Sequence, residues 1–147
     1  TGWRLGWGVL PAQLNDPVNK LMVNSTSCTA TFVQRAAIAA IEGPQDECAR
    51  MVEEFRTRRD YFCQALNGVP GFSCRLPMGA FYAFANVSKT AQRSDDLADE
   101  CLLRGGIACL SGGAFGTHGE GYVRFSLANS MEKLHLAIDR LGLLRGR

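Results

Sequence analysis

The sequence is short of the residues from which most metal and redox sites are built. It has only two histidines, His118 and His135, and its six cysteines, at positions 28, 48, 63, 74, 101 and 109, include no C-x-x-C pair. No ligand spacing links the cysteines to the histidines, so no metal site is expected. Several cysteines fall in apolar stretches of predicted helix or strand. Reduced, buried thiols are therefore expected rather than a disulfide framework. Neither histidine has a recognisable catalytic partner in the sequence. No apolar run approaches the ~20 residues needed to cross a bilayer, and no charged-then-apolar leader precedes a cleavage pattern. The expectation is a cytoplasmic chain with no membrane partner. Repeats and low-complexity tracts are also absent. Lysine is scarce, at Lys20, Lys89 and Lys133 only.

What is present suits a globular piece. The 147 residues are 46% hydrophobic and 20% charged, enough for one sizeable core plus a fragment of another domain. The net charge of +2 is spread among Asp and Glu rather than blocked, which argues against a nucleic-acid surface. The local excess at Arg56, Arg58 and Arg59 falls on a predicted helix with Glu53 and Glu54, and reads as a solvated face.

The element order is α/β. Residues 3–10 alternate and are rich in Trp, Leu and Val, predicting a strand that ends at Pro11. A helix is predicted from Thr29 to Ile41, stopped by Gly43-Pro44, and a second from Pro44 to Leu66. In the second, Met51, Val52, Phe55, Arg59, Phe62 and Leu66 recur at helical spacing as the buried stripe, while Glu53, Arg56 and Asp60 face out. Short strands are predicted at 72–75, 81–87, 107–110 and 122–127, and a helix at 95–104 that Gly105-Gly106 terminates. A last helix, 131–144, starts behind Ser130 as N-cap.

Two arginines stand out from this pattern. Arg124, in Gly121-Tyr122-Val123-Arg124-Phe125-Ser126-Leu127-Ala128-Asn129-Ser130, sits inside an otherwise apolar strand. A guanidinium is always charged and offers a planar fork that fits a carboxylate or phosphate, so a substrate carboxylate is one partner. A structural ion pair with an internal Asp or Glu, or a side chain snorkelling to water, are the others. Arg4, in Thr1-Gly2-Trp3-Arg4-Leu5-Gly6-Trp7-Gly8, lies among glycines and indoles; it can meet an anion or stack on Trp3 and Trp7.

Taken with Pro77-Met78-Gly79-Ala80-Phe81-Tyr82, these segments resemble the pyridoxal-phosphate-dependent aminotransferases of class I and II, across nearly the whole chain. The closest likeness is to the aspartate-aminotransferase-like branch of fold type I. The resemblance implies an α/β architecture: residues 1–43 as the last strand and helices of the large cofactor-binding domain, residues 44–147 as a long connecting helix and an α+β C-terminal small domain. It implies that Arg4 contacts the phosphate of pyridoxal phosphate and that Arg124 holds the substrate α-carboxylate. In the family a TGWRxG sequence follows shortly after the cofactor-binding lysine, which places that lysine upstream of Thr1. None of the three lysines here stands in its motif, so this chain alone is expected to be inactive and not to retain the cofactor. The implied partners are an L-amino acid, with aspartate as one option, a 2-oxo acid, and a second copy of the chain in a homodimer.

The resemblance also implies a place for three further segments. Gly79-Ala80-Phe81-Tyr82 matches a family segment at the start of the small domain that faces the active site, though aromatics on a strand also serve as core. The loop Ser111-Gly112-Gly113-Ala114-Phe115-Gly116 matches one that usually begins with proline, so Ser111 puts its rigidity in question. Asn24 to Thr29 matches a segment before a large-domain helix near the subunit interface, though such residues also serve simply as helix caps. Two other functions remain open: another fold-type-I enzyme, a lyase or decarboxylase, and a non-catalytic module acting through self-association or a partner chain.

Overall fold

A computed structural model describes residues 2–146 and divides the chain into two compact units, one up to Glu47 and one from Cys48. Thr1, the first residue of the opening motif, lies outside the described residues.

The first unit is helical. The strand predicted over residues 3–10 does not form. Gly2 and Arg4 adopt φ of 121° and 53°, which interrupts an extended run, and among the described residues no other strand offers this segment a ladder. Pro11 opens a helix rather than closing a strand: α1 spans Ala12–Ser25 and carries Pro17 inside it. The polar run from Asn15 to Lys20 belongs to this helix. Helix α2, Thr31–Glu42, ends at Gly43 as predicted. Val33 is its one buried residue. Trp3 packs edge-on against Phe32, with ring centroids 5.6 Å apart.

The second unit packs helices on a short sheet. It contains α3 (Asp46–Leu66, whose first residues lie before the division), β1 (Tyr82–Asn86), α4 (Ser94–Leu103), β2 (Leu110–Ser111), β3 (Tyr122–Ser126) and α5 (Met131–Arg145). The order is β1-β3-β2 and both pairings are antiparallel. Alternation along the central strand sends Val123 and Phe125 into the core, opposite Ala85 and Ala83 of β1. Phe62 and Leu66 of α3, Leu97 and Cys101 of α4, and Leu134 and Leu141 of α5 complete that core.

Three expectations are corrected here. The predicted stripe of α3 is buried only over its C-terminal half; Met51 and Val52 are exposed, because nothing within this unit covers that end. The strand at 72–75 shrinks to a single bridge, Ser73 with Asn86. The Asn67 carboxamide accounts for this, since its Oδ1 accepts from Cys74 N at 2.7 Å and its Nδ2 donates to Cys74 O at 3.0 Å. Backbone groups satisfied by a side chain do not enter a ladder. The strand at 107–110 is likewise cut to Leu110–Ser111, with Ile107 N committed to Cys101 O at the end of α4. Gly106 adopts φ 62° there, the left-handed conformation that closes the helix. Ser130 caps α5 as expected, its Oγ accepting from Lys133 N at 3.3 Å.

All six cysteines are free, but Cys28 and Cys48 are exposed rather than buried. The sulfurs of Cys63 and Cys74 approach to 3.8 Å. Contact with Cys74, then burial, pushes the Cys63 thiol up.

Candidate functional site

Arg124 lies at the middle of the central strand, in register with Phe84 on β1 and Leu110 on β2. Alternation puts it on the sheet face opposite the core, in line with Tyr122. Its guanidinium carbon sits 4.1 Å from the centroid of Tyr82 and 4.5 Å from that of Phe115, over the faces of both rings. Among the described residues no carboxylate pairs with it and no acceptor takes its N–H groups. It is half-buried, so free snorkelling is not its state either. Cation–π contacts of this kind contribute about 0.5–2 kcal/mol each and consume no N–H donor. The fork of Arg124 is therefore held but unneutralised.

Phe115 reaches this position from a 3-10 turn, Gly112–Phe115, whose first bond is capped by Ser111: its Oγ accepts from Gly113 N at 3.2 Å. The serine that departs from the family's proline thus supplies its own restraint. A second restraint comes from Gly112 and Gly119, packed so closely that a Cβ on either would collide with the carbonyl oxygen of the other. Glu120 and Gly121 then tie the loop to α4. Ser94 N donates to Glu120 Oε1 at 2.9 Å, and Gly121 N donates to Ser94 Oγ at 2.8 Å. The Ser94 N–H holds the Glu120 carboxyl below the usual carboxylate range.

Phe81, in the Gly79–Tyr82 segment, is exposed rather than core. With Val52, Phe55, Arg59 and Met78 it lines a concavity of about 370 Å³. The arginine cluster on α3 pairs locally, Arg56 with Glu53 at 3.3 Å, Arg58 with Glu54 and Arg59 with Asp60 at 2.7 Å, but the solvated face expected there holds only for Arg56; Arg58 and Arg59 are half-buried, and Arg59 also donates to Pro77 O at 3.2 Å. His135 packs edge-on against Tyr61 at 4.2 Å, and His118 lies in a 3-10 turn, Thr117–Gly119. Among the described residues no group of three or more His, Cys, Asp or Glu side chains could hold a metal, and no helix is long and apolar enough to cross a membrane.

Arg4 belongs to the first unit. It is exposed, adopts φ 53°, and lines an open concavity of about 840 Å³ with Trp3, Trp7, Val33, Ala37 and Ile41. Among the described residues it makes no ion pair and stacks on neither indole. A permanently charged fork without an internal counter-ion fits a phosphate chemically. The stacking alternative does not hold.

Sequence reasoning found both arginines but missed Tyr82 and Phe115 as the flanks of Arg124. The alternation of Tyr82 and Phe84 hinted at a shared sheet face; the register that brings them beside Arg124 was not visible.

Comparison with known proteins defines the class. The family model for aminotransferase class I and II matches residues 1–141, and the chain belongs to this family. It is 38% identical over 143 residues to the aspartate aminotransferase of Pyrococcus horikoshii, and 37% over 155 residues to the aspartate/prephenate aminotransferase of Nitrosomonas europaea. These alignments cover 96% and 98% of this chain but only 37% and 38% of those proteins. The crystal structure of the aspartate aminotransferase from Rhizobium meliloti superimposes with a TM-score of 0.89 at 30% identity, covering 99% of this chain and 38% of that one. The aromatic aminotransferase from Pyrococcus horikoshii gives 0.90 at 34%, covering 98% and 39%. The chain thus spans under two-fifths of the relatives it matches, and its fold is the corresponding α/β part of theirs.

Proposed function

We propose that this chain is the C-terminal part of a pyridoxal-phosphate-dependent aminotransferase exchanging an amino group between an L-amino acid and a 2-oxo acid. The observation that carries the reading is Arg124: a cation fixed on a sheet face, its N–H fork spent on no carboxylate among the described residues. Such a group recognises the α-carboxylate common to both substrates. By holding that carboxylate, Arg124 orients the Cα–H bond for proton removal. Arg4 holds the cofactor phosphate. When bound, pyridoxal phosphate supplies an electron sink for the negative charge developing at Cα. Residues 1–43 then belong to the large domain and 44–147 to the small one. Aspartate is the favoured amino donor, since relatives named for it are among those matched.

Lys20, Lys89 and Lys133 are all exposed. A lysine that attacks the cofactor carbonyl must be desolvated or set beside another cation to shed its proton near neutrality. None of the three is so placed, and residues 1–147 alone carry no transaminase activity in this reading. The six free cysteines accord with a cytoplasmic setting, and exposed Trp7, Val9 and Phe32 with a homodimer.

The test is a pair of titrations, cofactor and 2-oxo acid, on variants of the complete parent protein. Arg124→Lys lowers kcat/KM by roughly 30-fold to several thousand-fold while barely moving cofactor affinity. Arg4→Ala weakens cofactor retention first. Intact 2-oxo acid binding in a folded Arg124→Lys variant would falsify the carboxylate role. On the chain itself, borohydride reduction with pyridoxal phosphate followed by mass spectrometry leaves all three lysines unlabelled; stoichiometric labelling of any one sinks the proposal that none carries the cofactor.

A further inference from the structure

We infer that Tyr82 and Phe115 are positioning residues for Arg124: their ring faces fix the guanidinium in place of a counter-ion, leaving its donors free for an incoming carboxylate. The inference rests on the reading of Arg124 as the carboxylate-binding arginine.

A site that must grip an external anion faces a conflict. An arginine left loose has to be ordered when the ligand arrives, which costs affinity. An arginine ordered by an internal Asp or Glu is neutralised, and the ligand must compete for the same fork. Aromatic faces avoid both. They attract the cation through the ring quadrupole, take no N–H donor, and strip water from part of the group, which strengthens whatever bond the remaining donors make. The two ring contacts, at 4.1 and 4.5 Å, come from separate segments, strand β1 and the 3-10 turn after β2, so the cation is restrained from two directions of the chain.

The rings are themselves held. Phe115 meets Phe84 edge-on at 6.1 Å and 85°, and Phe84 stacks on Tyr122 at 5.0 Å and 4°. Phe84 is also the register partner of Arg124. The close backbone packing of Gly112 on Gly119 sets where Phe115 emerges. These rings are not simple core: Phe84 is 41% exposed and Phe115 51%. An aromatic half in water gains little from burial, and the place of Phe115 is accounted for by its contact with the Arg124 cation.

The test uses the 147-residue chain labelled with nitrogen-15, following the Arg124 Nε–Hε resonance assigned by its loss in Arg124→Lys. In the unmutated chain, without ligand, that proton is shifted upfield by the rings; an ordinary shift there overturns the inference before any variant is made. Titration with 2-oxoglutarate then gives an affinity. Tyr82→Leu and Phe115→Leu abolish part of the upfield shift and weaken binding by about 2- to 30-fold each. Tyr82→Phe and Phe115→Tyr keep a ring face and bind like the unmutated chain. Leucine variants that lose thermal stability but keep the affinity show a merely structural role and overturn the inference, as does weakened binding in Tyr82→Phe. If the leucine variants do not fold, the ligand-free shift and the two conservative variants still decide. A separate failure is distinguishable: if 2-oxoglutarate leaves the Arg124 signal unmoved and binds Arg124→Lys equally, the carboxylate reading itself falls.

Discussion

The two units obey different rules of stability. The unit from Cys48 onward closes a core in which Leu66, Ala83, Ala85, Val87, Leu97, Cys101, Val123, Leu127 and Leu141 are wholly shielded from water. Among the described residues the unit up to Glu47 buries Val33 alone, and it leaves Trp7, Val9, Phe32 and Ile41 exposed. Its two helices have no side-chain N-cap, following Pro11 and Ala30, whereas α5 is capped by Ser130. Each proposed site arginine lives in one of these settings. Arg124 is mounted on a packed sheet with ring supports; Arg4 sits on an uncapped, unpaired segment with positive φ. Fixed geometry at a site comes from the packing beneath it, and only one of the two has that packing.

The largest effect should come from breaking the core that makes the difference. Leu97→Ala leaves a cavity in a fully buried position and should cost about 2–5 kcal/mol in the second unit. Val33→Ala should cost no more than about 1.5 kcal/mol, because few surrounding atoms lose a partner. Hydrogen exchange resolved by segment checks both: protection in β3 and α5 should collapse in the first variant, while α1 and α2 exchange readily even without mutation. Comparable protection of the two units in the unmutated chain would erase the distinction.

Next in size is the glycine contact. Gly112→Ala drives a Cβ into the carbonyl oxygens of Gly119 and Tyr122, both rigid backbone atoms, so the turn must move. The expected cost is ~1–3 kcal/mol. Displacement should also show at Arg124, whose Nε–Hε resonance shifts as Phe115 is carried away. Gly142→Ala, where a Cβ meets nothing within 4 Å, is the control and should be neutral or stabilising.

The difference between the units also explains what the sequence disclosed. Helical periodicity and caps located α2, α3, α4 and α5, since those signals are local: Gly43-Pro44, Gly105-Gly106 and Ser130 each act on adjacent backbone. Helix α1 was hidden because Pro17, normally a stop, lies within it. Strand extents were overestimated at 72–75 and 107–110 because Asn67 and Cys101, which lie outside those runs, claim backbone groups a ladder needs. Arg124 was visible as a charge in an apolar strand. Its ring supports were not, since Tyr82 and Phe115 join it only through the register of β1 and the path of a glycine turn.

Capping offers a finer adjustment in each direction. Ser130→Ala removes the acceptor for Lys133 N and should cost about 1 kcal/mol. Ala30 has extended cap geometry, φ −55° and ψ 136°, with no acceptor of its own, so Ala30→Asp should stabilise α2 by ~0.5–1 kcal/mol. Paired melts followed by circular dichroism, with exchange to assign the unit, check the two signs. A neutral Ala30→Asp would mean that α2 is limited by missing packing rather than by its uncapped start.

The smallest effect is a pH dependence confined to the second unit. Glu100 on α4 accepts from Gln92 Nε2 at 3.0 Å, Arg104 Nη1 at 2.6 Å and Arg145 Nη2 at 2.8 Å, joining α4 to the end of α5. The Gln92 hydrogen bond, then Arg145 and Arg104, outweigh the opposing effect of burial and hold its carboxyl below the usual range. The sign follows. A carboxyl with a lowered folded pKa contributes its full stabilisation above the unfolded value, near pH 4.3, and loses it as pH falls through the folded value. Acidification below about pH 4.3 should therefore reduce exchange protection at the C-terminal turn of α5 in the unmutated chain. Glu100→Gln should start lower at neutral pH and show a flatter acid limb, because it has no proton to gain. Equal acid slopes in the two chains would assign the acid loss to other carboxylates and leave the α4–α5 join resting on packing alone.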